Sequence, residues 1–272
     1  MNVAEALISS ARQGRFDETL PDLVRLATRS DGDRDEAWEA AAAAVQVLSW
    51  RDRFAEAADL VEALILRDGS LGGELCDQDV PFSTIFLAAE LYADQPARPR
   101  LLAAADRMPQ DCVLAGDLTW LADEVTRRPL EELLPSYFDW GGSSRPLDGQ
   151  VESLAVQGFD TLDSGARHAL WQGLTNANDF ERAHQVAESA GAVPDRYASC
   201  LWMAGWYATQ GDLLRGERML LAARERWWPY KAWDAVPDDP VLQPALRLVV
   251  TDRVREQYLT RPIGPEAAEK KE

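Results

Sequence analysis

Between positions 197 and 229 the chain reads YASCLWMAGWYATQGDLLRGERMLLAARERWWP, two stretches of nearly equal length divided at Gln210-Gly211-Asp212. Small or apolar residues recur at three- and four-residue steps in the first half (Cys200, Met203, Ala204, Tyr207) and again in the second (Leu213, Gly216, Leu220, Ala223). On an α-helix that spacing gathers them into one stripe, so two helices are expected, their stripes facing each other across a glycine turn. A hairpin of this size cannot hide its apolar surface alone. It needs neighbours of the same shape, and the expected fold class is therefore all-α, an array of stacked helical hairpins.

The pattern recurs along the chain. Residues 1–28 read as helix, turn (Gln13-Gly14-Arg15) and helix, and residues 33–67 repeat this with Trp50-Arg51-Asp52 at the turn. GRFDE from Gly14 and DRFAE from Asp52 share a signature in which Phe16 and Phe54 plug the base of each hairpin, and NDFERA from Asn178 sets Phe180 and Ala183 in the same relation. Further helices are expected over 81–93, 97–109, 111–127, 130–137, 150–159, 164–176 and 180–191. The Gly, Ser and Pro content of WGGSSRPLDG marks a loop or hinge. The expected domains are an acidic array over 1–140, a hinge at 141–149, a second array over 150–260 and a flexible tail over 261–272. Residues 230–242 read as an ordered loop, and a helix over 242–259 as the cap closing the array.

Residues 197–229 resemble the tetratricopeptide repeat family. The match lies in Ala204, Tyr207, Gly211, Leu213, Gly216, Leu220 and Ala223, with Pro229 one residue late. Gly216 stands where the family carries Ala, at about 1 kcal/mol of helix propensity. The resemblance implies a right-handed superhelix, an α-solenoid, in which the first helix of each hairpin lines a concave groove. Helical spacing then puts Glu39, Gln46 and Trp50, Phe86 and Glu90, and His168, Gln172 and Asn176 on that groove, with Trp202 at its rim. No paired Lys and Arg clamp for a terminal carboxylate is among them.

Charge is distributed unevenly. Of the net charge of -18, most belongs to residues 1–160, with 30 acids against 14 arginines, while residues 161–272 carry 16 acids and 14 bases. Such a field repels nucleic acid and anionic membrane and steers a basic partner. Its plainer role is to keep the protein soluble. No apolar run approaches the roughly 20 residues of a membrane span. The opening MNVAEALISSARQGRF lacks a basic start leading into an apolar core, so no leader is expected and the cytoplasm is the expected compartment. Cys76, Cys112 and Cys200 are isolated, which argues against a disulfide framework.

Catalytic and metal-binding patterns are weak. Asp31, Asp33 and Asp35 alternate as in a calcium loop, yet Glu36 replaces the required glycine and Ala42 the bidentate carboxylate, so helix capping is the expected role. His168 and His184 lie near no nucleophile motif. No Gly-rich loop ends in Lys. No catalytic residue, metal or cofactor is expected. Ten tryptophans stand out. Trp227 and Trp228 cannot both point inward from one helix end, so one of them is expected to be exposed, where aromatics anchor interfaces. Together these features imply a non-catalytic module binding a basic or amphipathic protein segment. A bacterial immunity protein or antitoxin occluding a basic, nuclease-like toxin fits the same composition, and a helical hydrolase or lyase with an aromatic pocket is the enzyme-class rival.

Overall fold

The computed structural model describes residues 2–29, 32–69, 170, 174, 181–185, 193, 194, 196–229 and 231–269, and all regular structure among them is α-helical. Two hairpins open the chain, α1 (Val3–Arg12) with α2 (Phe16–Thr28) and α3 (Arg34–Trp50) with α4 (Phe54–Gly69). Later come α5 (Tyr197–Thr209), α6 (Leu213–Arg226), α7 (Asp239–Leu242), α8 (Pro244–Arg247), α9 (Asp252–Thr260) and α10 (Pro265–Glu269). Contacts divide the chain into two compact units. One comprises Met1–Pro135, Trp228–Gln243 and Arg255–Glu272; the other comprises Ser136–Trp227 and Pro244–Val254. The expected hinge at 141–149 lies outside the described residues.

Short-range chemistry sets the helix ends of the first unit. Asn2 and Glu5 form a reciprocal capping box at 2.7 and 3.0 Å. Glu36 Oε1, on α3, accepts from the Val3 and Ala4 N–H groups at 2.6 and 3.3 Å, so one acid of α3 satisfies donors at the start of α1. Asp33 caps α3 itself, accepting from the Glu36 N–H at 3.0 Å. The sequence echo between Gly14 and Asp52 is the echo of a turn: Gly14, Asp52 and Gly211 all hold positive φ (90, 54 and 79°). In two of these turns the next N–H bonds five residues back, Arg53 to the Leu48 carbonyl and Asp212 to that of Tyr207, each at 2.9 Å. Phe16 and Phe54 are buried just after their turns, as expected.

The core of this unit is α3. Every residue from 40 to 50 is buried, and the helix contacts α1, α2 and α4. α1 packs on α3 and α2 on α4, so like helices of the two hairpins lie against each other. Alanines at 40–44 permit this, since small side chains let helix axes approach.

Two expectations for the carboxy-terminal part are corrected. In place of a single closing helix over 242–259 there are two short ones, α8 and α9: Pro244 lacks the N–H needed to prolong α7 past Leu242, and α9 restarts where Thr251 Oγ1 accepts from the Val254 N–H at 3.3 Å. Residues 261–269 are docked rather than frayed. Ile263 is buried and donates its N–H to the Arg12 carbonyl at 2.8 Å, while Glu266 on α10 accepts from Ser9 Oγ at 3.1 Å and pairs with Arg12 at 3.7 Å. One buried isoleucine and one paired acid fix a segment that its composition marks as soluble.

In the second unit, α5 and α6 pack through Cys200, Met203, Ala204, Tyr207, Gly216, Leu220 and Ala223, all buried. Leu213, expected in that stripe, is 49% exposed. Gly216 already lies across from the Ala208 N–H, so a residue one turn earlier falls past the end of α5. Gly216 itself is required by contact: a Cβ there would meet Val249 Cγ1 at 2.7 Å and the Ala204 carbonyl oxygen at 3.2 Å. Helix propensity alone predicts that Gly216→Ala gains about 1 kcal/mol. Crowding against a β-branched neighbour reverses the sign, to a net loss of about 1–3 kcal/mol in urea denaturation, partly recovered when Val249→Ala is added. A raised midpoint for the single variant would show that the helix packing is loose.

Candidate interaction face

One side of α1 and α3 holds a piece of the chain that has no regular structure. Residues 231–238 begin with a turn, closed by the Asp234 N–H to the Lys231 carbonyl at 3.1 Å and by the Lys231 N–H to Asp234 Oδ2 at 2.7 Å. Three side chains, one from α1 and two from α3, grip the main chain of this segment. Arg12 of α1 donates to the carbonyls of Ala232 (2.7 Å) and Asp234 (2.9 Å). Gln46 of α3 accepts from the N–H groups of Ala235 (2.8 Å) and Val236 (3.4 Å), and its Nε2 reaches Asp234 Oδ1 at 3.4 Å. One α-turn on, Trp50 donates Nε1–H to the Pro237 carbonyl at 2.6 Å and stacks on Tyr258 with ring centroids 4.3 Å apart. Arg255 holds Trp50 from behind, donating to its carbonyl and pairing with Asp52 at 2.8 Å. Helical spacing dictates the set: positions 46 and 50 share a face one turn apart, and a long cation on α1 reaches the same place.

Electrostatics at this face centre on Asp238, whose side chain ends inside the protein with Oδ2 lacking any hydrogen-bond partner. Burial pushes its carboxyl well above the usual carboxylate range; Asp239 and Asp234 push the same way, and only its own backbone and Gln46 oppose. Burial also lowers the Arg12 guanidinium, against the pull of Glu266 and Asp234.

The residues expected to line an open groove fare differently. Gln46 and Trp50 are 6% and 0% exposed, a correction whose cause is the 231–238 segment lying over them. Glu39 is half-buried and accepts from Asn2 Nδ2 at 2.9 Å. Phe86, Glu90, His168, Gln172 and Asn176 lie outside the described residues. Trp202 is half-buried; Trp227 is buried and Trp228 is 63% exposed, so the tryptophan pair splits as its geometry demands. Arg12, Asp238 and Tyr258 were not expected at the face. Only the Pro and aromatic content of YKAWDAVPDDPVL pointed to that stretch as ordered.

His184 sits in the second unit, its Nδ1 2.8 Å from the Tyr207 hydroxyl, with Trp206 at 5.2 Å between ring centroids. The Arg215 guanidinium lies 5.9 Å from the Tyr207 ring centre. This is an aromatic packing cluster that includes the His184–Tyr207 polar contact. Among the described residues no three His, Cys, Asp or Glu side chains converge as metal ligands, and no helix is long and apolar enough to cross a membrane. Comparison with protein-family models, with curated proteins and with solved structures returns no match to this chain.

The Asp238 carboxyl makes stability depend on pH. Its folded value lies above its unfolded one, so the folded state takes up the proton more readily. The associated stability is fully present below the ordinary carboxylate range and is lost as pH rises through the raised value. Asp238→Asn, uncharged throughout, is expected to remove this component from the pH profile of the urea midpoint and to raise the midpoint at neutral pH. Superimposable profiles for the two proteins would place the carboxyl in water.

Proposed function

We propose that the chain is a non-catalytic protein-binding module of the tetratricopeptide kind, acting in the cytoplasm, whose stacked hairpins hold a basic or amphipathic segment of a partner protein. The observation that carries this reading is the capture of non-helical main chain by Arg12 of α1 and by Gln46 and Trp50 of α3. A face that already satisfies five main-chain groups of an irregular segment has the chemistry of a peptide receptor. The packing of α1 on α3 and of α2 on α4 agrees with a repeating array. The acid surplus of residues 1–160 supplies steering toward a basic partner, and Trp228 offers an exposed aromatic anchor.

The test is selection from a displayed library of peptides sorted into basic-amphipathic and acidic-amphipathic pools. Basic sequences are expected to be retained, with association slowed by added salt and dissociation changed little. Equal retention of both pools, or of neither, would remove the basis for the reading.

A further inference from the structure

The bonds that seat residues 231–238 read main chain rather than side chains. Arg12, Gln46 and Trp50 reach the carbonyls of Ala232, Asp234 and Pro237 and the N–H groups of Ala235 and Val236. Any irregular segment that takes the same path can make them. The resident's own side chains fit unevenly. Ala235 and Val236 are fully buried, whereas Asp238 brings an acid with an unpartnered oxygen into the interior.

Among the described residues only its own backbone and the Gln46 side chain favour the charge of that acid, and both act through hydrogen bonds rather than an opposite charge. Asp234 in the same segment and Asp239 on α7 carry the same sign, and α3 contributes Gln46, which has no charge. On α1, Arg12 is engaged by two carbonyls and Glu266; on α9, Arg255 is engaged by Trp50 and Asp52. The Lys231 ammonium lies 5.6 Å from the Trp233 ring centre. A seat that suits the backbone and penalises one side chain is open to an occupant without that penalty.

We propose that residues 231–238 are an exchangeable occupant of a peptide site on this face of α1 and α3, and that an irregular partner segment with an uncharged residue in place of Asp238 takes the same main-chain bonds. The inference rests on the protein-binding reading above and specifies its site. Exchange is governed by how often the resident segment opens, because the apparent affinity for an incoming peptide is its intrinsic affinity multiplied by the open fraction.

Two measurements on the full chain test it: amide hydrogen exchange at Ala235 and Val236, and binding of the labelled peptides KAWDAVPD and KAWDAVPN. The two amides are expected to exchange through a local opening roughly tenfold or more above the global unfolding population. KAWDAVPN should bind about tenfold more tightly than KAWDAVPD, and Asp238→Asn in the chain should slow those amides and weaken peptide binding by a common factor. Exchange of Ala235 and Val236 only with the α3 core would overturn the proposal, as would two peptides of equal affinity or a variant that binds as wild type does. The peptide comparison on wild type needs no variant to fold. Because the probes derive from the chain's own sequence, these outcomes are independent of whether a basic partner exists. Retention of basic segments by a chain whose resident segment never opens would leave the protein-binding function standing and this site wrong.

Discussion

The burial of α3 on all sides is the constraint on which the first unit depends. A helix surrounded by neighbours must be apolar nearly all round, and from position 40 to position 50 its polar side chains are only Gln46 and Ser49. Alanines at 40–44 let α1, α2 and α4 close on it, while Gln46 and Trp50 need hydrogen-bond partners that those helices, with their own bonds satisfied internally, do not supply. Residues 231–238 meet that need, offering two N–H groups to Gln46 and a carbonyl to Trp50. A segment distant in sequence thus completes the core.

Acidic residues do two kinds of work in this arrangement. Glu5, Asp33 and Glu36 sit at helix starts, where unpaired N–H groups and the dipole favour negative charge, so part of the amino-terminal acidity is structural. Asp238 does the reverse, placing a carboxyl where burial and two acidic neighbours favour its protonated form. The same segment therefore contains the bonds that hold it and the group that loosens it. The proposed exchange of resident for partner draws on this opposition.

Local rules were legible because they act within a few residues. The turns at 14, 52 and 211 needed a residue tolerant of positive φ, and the phenylalanines just after two of them were buried as the repeat implied. The splitting of Trp227 from Trp228 came from helix geometry alone. Gln46 and Trp50 were correctly put on one face, but spacing cannot say what covers a face. The alanine-rich run before them was the available signal that α3 is enclosed. Leu213 and Gly216 fit the same periodic stripe, and only the position of the α5 terminus and of Val249 separates the exposed one from the crowded one.

By itself, the sequence determined the all-α character of the described residues, the register of their hairpins and the acidity of the amino-terminal part, because periodicity, turn chemistry and charge are properties of neighbours along the chain. The tertiary structure decided that Arg12, Gln46, Trp50, Asp238 and Glu266 belong to one neighbourhood and that the tail is docked. Those outcomes depend on contacts across some 190 to 260 positions, and they hinge on burial, which no local pattern encodes.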